Sequence, residues 1–158
     1  MPFHQWQRRR PTDYLLFWII RGQGWVRFRG TKYMMRVGDL ILLPPVEPHE
    51  YGADPADPWD EVWVHFGGKS ARWFAEQILP RREWRSRLEM DDLVLQRWDE
   101  LVIATADPRR RDGVLPHTLL AGLLGLIIDR RQPHSPAARR TAAFDVDRLQ
   151  LYIHQHLA

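Results

Sequence analysis

The chain has 158 residues, 44% of them hydrophobic and 27% charged, which is the size and composition of one globular domain and not of a disordered chain. It contains no cysteine, which excludes a disulfide framework, cysteine-ligated zinc, iron–sulfur clusters and thiol catalysis. The formal net charge is +3, and all but Lys32 and Lys69 of its 23 basic residues are arginine; this is a compositional habit before it is a nucleic-acid footprint.

Residues 13–66 read as short strands separated by glycine and proline. Tyr14–Arg21 is the first strand and Gly22-Gln23-Gly24 a turn. Trp25–Arg29 follows, then a tight turn at Gly30-Thr31 into Tyr33–Val37. Gly38-Asp39 turns into the apolar strand Leu40–Leu43, which Pro44-Pro45 stops because proline has no N–H to give to a ladder. His49–Tyr51 is a short strand, Ala53–Trp59 a loop, and Glu61–Phe66 the last strand. Many short strands at this spacing predict an all-β sandwich or barrel.

After Gly67-Gly68 the apolar period lengthens to three or four residues. Ser70–Leu79, Asp91–Ala106 and Leu115–Arg131 read as helices, with Asp91 or Asp92 as the cap of the second. The composition of residues 132–143 is that of a linker, and Asp145–Leu157 is a further amphipathic helix. The longest apolar stretch, Leu119 to Ile128, is about ten residues, whereas a membrane span needs about 20. The run after Arg8-Arg9-Arg10 ends in Arg21-Gly22-Gln23-Gly24 and lacks the small-residue cleavage site of a signal peptide. The expected location is therefore the cytoplasm, with no membrane partner.

Residues two apart on a strand share a face. Glu61, Trp63 and His65 thus share one face, His49 and Tyr51 another, and Arg21 the face of Phe17 and Ile19. If the strands wrap a barrel, Arg21, His49, Tyr51, Glu61 and Trp63 converge on its interior, a mixture of aromatic planes and fixed polar groups that suits a small polar ligand. Each has a plainer role open to it: Arg21 a solvated strand end, His49 a structural histidine, Tyr51 and Trp63 core aromatics, Glu61 a surface acid. The role of His65 stays open. His49, Glu50, Glu61 and His65 are metal-ligand types, but no close His-x-His or His-x-x-x-Glu pair preorganises an ion. There is no Gly-x-Ser-x-Gly, and Gly22-x-Gly24 lacks the third glycine and following helix of a dinucleotide site. The arginines at 81, 82, 85 and 87 and at 109–111 read as solvated charge.

Ile20-Arg21-Gly22-Gln23-Gly24, Gly38-Asp39-Leu40 through Leu43, Pro44-Pro45, His49-Glu50-Tyr51-Gly52 and Trp63-Val64-His65-Phe66 together resemble the sugar-sensing N-terminal domain of AraC-type transcription regulators. The resemblance is close over residues 13–68 and one of pattern only to 131. It implies a mainly β fold with α: a cupin (jelly-roll) barrel followed by two or three helices that dimerise. It divides the chain into an N-terminal arm (1–12), a ligand-binding barrel (13–68), a helical dimerisation region (69–131), a linker (132–143) and the first helix of a truncated helix-turn-helix domain (144–158). It implies sugar contacts by the residues matching Arg21, His49, Tyr51 and Trp63, while a further family histidine falls at Glu61.

The expected function is the effector-sensing domain of a regulator, not an enzyme, with no catalytic residue, metal or cofactor. Its partners are a small sugar-like effector and a second copy of itself, and DNA only through a C-terminal domain missing from this chain. The alternatives are a cupin enzyme, a sugar isomerase or epimerase using His49 and Glu61 as acid and base, and a pure dimerisation module with a side-chain-filled barrel. The His-x-His of metal-dependent cupins is missing near Arg21–Trp25, which argues against a metalloenzyme.

Overall fold

The computed structural model describes residues 12–80, 83–109 and 113–131, together with the backbone of 5–8. Among the described residues there are eight strands: β1 (Gln5–Arg8), β2 (Tyr14–Arg21), β3 (Gln23–Phe28), β4 (Thr31–Arg36), β5 (Asp39–Leu43), β6 (His49–Ala53), β7 (Asp60–Phe66) and β8 (Arg85–Arg87). The helices are α1 (Ala71–Ile78), α2 (Asp92–Ala106) and α3 (Val114–Arg131). Six strands and all three helices coincide with the elements predicted from hydrophobic period. The strands missed are β1, in the segment expected to be an arm, and β8, inside the segment expected to be helical. Both are short, and β8 (Arg-Ser-Arg) has no apolar alternation to reveal it. The expected linker at 132–143 and the helix at 144–158 lie outside the described residues.

The strands form two antiparallel four-stranded sheets, ordered β1-β6-β3-β4 and β7-β2-β5-β8. This is the expected fold class, a jelly-roll barrel with helices. Hairpin chemistry sets the β3–β4 register: Arg29 and Gly30 both have positive φ (51° and 80°), the geometry of a two-residue type I′ turn whose twist matches the flanking strands. Gly22 and Gly38 take φ of 65° and 86° at the corners where the chain changes sheets, conformations that a Cβ disfavours.

Tyr14–Arg21 is apolar on both faces because both are covered. Leu15, Phe17 and Ile19 point between the sheets and join Val26, Phe28, Met35, Ile41 and Leu43 in the barrel core. Leu16 and Trp18 point outward and join Leu40 and Leu42 beneath the helices. There Trp18 is fully buried and its indole Nε1–H donates to the Leu88 carbonyl oxygen (3.2 Å), which satisfies the one polar atom of the ring. Val94 and Trp98 of α2 and Leu123, Leu124 and Ile127 of α3 complete this layer.

A side-chain hydrogen bond fastens α2 to α3. Asp91 caps α2, its Oδ1 accepting from the Leu93 and Val94 amides (2.9 and 3.1 Å). Its Oδ2 accepts from Arg130 Nε of α3 at 2.6 Å. The Arg130 hydrogen bond is the largest of the influences that hold the Asp91 carboxyl below its ordinary pKa. No described helix is long and apolar enough to cross a membrane.

The barrel is filled beyond its strands by Trp59 from the loop before β7, whose ring lies 5.9 Å from Phe17. Gly24 of β3 makes this possible: a Cβ there would overlap the Trp59 ring and stand 2.5 Å from the Gly52 carbonyl oxygen. Gly24→Ala is therefore expected to lower stability by about 1–3 kcal/mol, the usual cost of overpacking a filled core. Urea unfolding checks this as a lower midpoint at unchanged slope; an unchanged midpoint would show that Trp59 moves aside freely.

Candidate functional site

Two strands carry the polar groups of the barrel wall. On β6, His49 and Tyr51 pair across the sheet with Phe28 and Val26, so they point inward with those core residues. His49 is 2% exposed and its ring stacks on Tyr51 with centroids 6.2 Å apart. The His49 Nδ1 lies 3.1 Å from the Glu47 carbonyl oxygen. A carbonyl only accepts, so Nδ1 carries a proton and donates it to that oxygen.

On β7, Glu61, Trp63 and His65 stand opposite Ile19, Phe17 and Leu15 of β2, all three of which face the barrel core. Phe17 joins the two strands: Tyr51 lies 5.6 Å from it by ring centroids, and Trp63 is its cross-strand partner. β7 is the edge of its sheet, and Trp63 is 56% exposed. A groove of about 800 Å³ runs along this edge, lined by Glu61, Trp63 and His65 and walled on the far side by Trp98, Leu101 and Leu120 of the helices. The indole Nε1–H of Trp98 donates to the Trp63 carbonyl oxygen (3.3 Å) and binds α2 to the edge strand. His65 Nδ1 lies 3.4 Å from the Asp13 carboxylate, at the rim.

The sequence expectation that Arg21 shares the inward face of Phe17 and Ile19 is corrected by the structure. The β2–β7 register shifts between Ile19 and Arg21, placing Arg21 opposite Asp60. Its side chain is 72% exposed and its Nε donates to Asp60 Oδ2 at 2.6 Å. That hydrogen bond raises the guanidinium pKa and lowers that of Asp60. A bulge moves side chains off the simple alternation, and an arginine at a strand end takes the nearest carboxylate in water. His49, Tyr51, Glu61 and Trp63 do lie on the faces that strand parity assigns them. Sequence reasoning missed Trp59, read as part of a loop; the bare glycine on an inward position of β3 was the signal for a bulky neighbour. It also left Phe17 as a plain neighbour, whereas its ring joins the two strands.

Glu61 sets the electrostatics of the wall. Its Oε2 is buried, with no hydrogen-bond partner among the described residues. Burial pushes its carboxyl from the ordinary value up to about 7, because a carboxylate out of water is disfavoured. Among the described residues no group of three His, Asp or Glu side chains is placed to hold a metal ion.

The raised Glu61 pKa makes stability depend on pH. The folded chain holds this proton more tightly than the unfolded one, so the stability that Glu61 contributes is fully present below its ordinary pKa of about 4.5 and is lost as pH rises through about 7. Glu61→Gln is expected to flatten this slope and to stabilise the protein at pH 8 by up to about 3 kcal/mol. Denaturant melts of both proteins at pH 5 and pH 8 check this; parallel slopes would place the carboxyl in water.

Residues 2–124 match the family of the AraC-like ligand binding domain. The chain is 30% identical over 166 residues to the MmsAB operon regulatory protein of Pseudomonas aeruginosa, covering 98% of this chain and 50% of that protein. It is 32% identical over 120 residues to the arabinose operon regulatory protein of Escherichia coli, covering 75% of this chain and 34% of that protein. The chain thus spans half of the first relative and a third of the second. Its fold is similar to that of the AraC-like transcriptional activator CuxR, with a TM-score of 0.51 and 13% identity, over 99% of this chain and 58% of that one. A match over most of the chain, on the strands that build the barrel wall, establishes that this protein belongs to the AraC-like ligand-binding domain family.

Proposed function

We propose that the chain is the effector-sensing part of a transcription regulator, and that a small polar, sugar-like molecule binds on the wall formed by β6 and β7. The observation that carries this reading is the placement of His49, Tyr51 and Glu61 on core-facing positions beside Phe17 and Trp63, where a barrel that only folds would be apolar. The Glu61 Oε2 is out of water with no hydrogen-bond partner among the described residues, which costs free energy unless a ligand bonds to it. Aromatic faces with a few fixed polar atoms are the usual lining of a small-molecule site. Arg21 enters this reading as a rim group tied to Asp60. Two relatives are named as operon regulators, which supports the regulatory role. DNA recognition in this reading belongs to the part of such regulators that this chain does not span.

The helices carry the second half of the proposal, a homodimer. Leu123, Leu124 and Ile127 of α3 face the chain's own core, so the expected interface is the opposite face. There Leu115 is 62% exposed, and Gly122 and Gly125 have open space where a side chain would stand. Ile103 of α2, 73% exposed, lies beside Leu115 in a second groove between the helices. Exposed apolar residues around bare backbone fit the close approach of another helix.

Two measurements test these readings. Trp63→Ala is expected to leave the fold intact, since that ring is half exposed, and to weaken effector binding at least tenfold. A thermal-shift screen of sugars, sugar acids and polyols finds the effector, which the protein should bind without consuming it. Turnover of the ligand, or unchanged affinity in the variant, contradicts the site. Gly125→Arg is expected to give folded monomers by sedimentation, whereas Leu124→Glu should unfold the domain. A wild-type protein that sediments as a monomer at tens of micromolar overturns the dimer.

A further inference from the structure

The lining of the β6–β7 wall has a sign. Its acid, Glu61, lines the groove with one carboxylate oxygen out of water and unbonded among the described residues. Arg21, the basic group expected to face it, is turned outward and held by Asp60. The other titratable groups along the groove are His65, beside Asp13, and His117 of α3, whose Nδ1 lies 2.7 Å from the Gly113 carbonyl oxygen. Neither is a permanent cation, and no described lysine or arginine lines the groove.

The apolar part of the wall has the same sign. Trp63 stands on the same face as Glu61, Phe17 is opposite Trp63, and Tyr51 and Trp59 lie 5.6 and 5.9 Å from Phe17. The face of an aromatic ring is the negative end of its quadrupole and attracts cations. Along the groove, the Glu61 carboxylate shares a face with the Trp63 ring and no described lysine or arginine is in the lining, which makes it a lining of acceptors.

We propose that this site takes effectors that carry a protonated amine on a hydroxylated frame, the ammonium bonded to Glu61 and lying over the aromatic faces, and that it excludes anionic ones. The proposal rests on the reading of the β6–β7 wall as the effector site. A neutral hydroxyl donates one hydrogen bond to Glu61 but leaves its charge uncompensated. An ammonium supplies both the donors and the opposite charge, and charge-assisted bonds are about twice as strong as neutral ones. A sugar acid adds repulsion.

The test titrates the full chain at pH 7.5 with glucosamine, galactosamine and N-methylglucamine as cationic probes, with glucose and N-acetylglucosamine as neutral ones, and with glucuronate as the anion. Melting shifts and calorimetric affinities are read for wild type, Glu61→Gln and Trp63→Ala. At least one cationic probe is expected to raise the wild-type melting temperature and to bind at least tenfold more tightly than its neutral counterpart, with glucuronate silent. Glu61→Gln should erase that preference, and Trp63→Ala should weaken every probe that binds. Equal or tighter binding of a neutral or anionic probe, or silence from all three amines, overturns the charge selection. If such binding still depends on Trp63, the effector site stands and only its selectivity falls. If no bound probe responds to Trp63→Ala, the site itself falls. The wild-type panel decides the charge question even if a variant fails to fold.

Discussion

The structure depends on one strand that must be dry on both faces. Tyr14–Arg21 lies between β7 and β5 and buries five consecutive side chains, from Leu15 to Ile19. A strand with a polar outer face could leave one side of its sheet in water. This one cannot, because Leu16 and Trp18 on the outer side are as apolar as Phe17 and Ile19 on the inner. The second sheet closes over one face and the helices over the other. Burying a side chain of this class contributes about 1.5–3 kcal/mol, so the five together commit the chain to a sheet covered on both sides.

The site follows from the same constraint. The strands beside β2 differ in what covers them. β5 continues the dry core, whereas β7 is an edge whose inward row is Glu61, Trp63 and His65. An edge position leaves side chains within reach of solvent and of a ligand while the backbone stays fixed by the ladder. Trp98 ties that edge to α2 through the Trp63 carbonyl, and Asp91 ties α2 to α3 through Arg130. The strand bearing the candidate site and the helix bearing the exposed apolar face are therefore linked by hydrogen bonds at definite atoms.

Much of this was readable in the residues. Glycine and proline marked most of the strand ends because backbone conformation at those points admits little else. His49 with Tyr51, and Glu61 with Trp63, could be assigned to shared faces because strand alternation has a strict period of two. The same rule failed at Arg21, since one register shift between Ile19 and Arg21 breaks the alternation. It had nothing to say about Trp59, which reaches the barrel from a loop with no period at all. The three short residues of β8 carry no pattern, and only their pairing with Asp39–Ile41 makes them a strand.

The sequence by itself determined the strand-rich half, the three helices, a cap at Asp91 or Asp92 and the inward pairs on two strands, because each is fixed by local period or local hydrogen bonding. The tertiary structure decided which charges face the ligand wall. Arg21 and Glu61 look like equal candidates in the chain. In the fold one finds Asp60 and water, and the other stands on the core-facing row of β7 with one carboxylate oxygen out of water. Solvation and the nearest opposite charge decide between those outcomes, and both depend on residues 39 or more positions away in sequence. The same holds for α3, whose apolar residues run nearly all round. Only the packing of Leu123, Leu124 and Ile127 against the barrel shows which face remains exposed around Gly122 and Gly125.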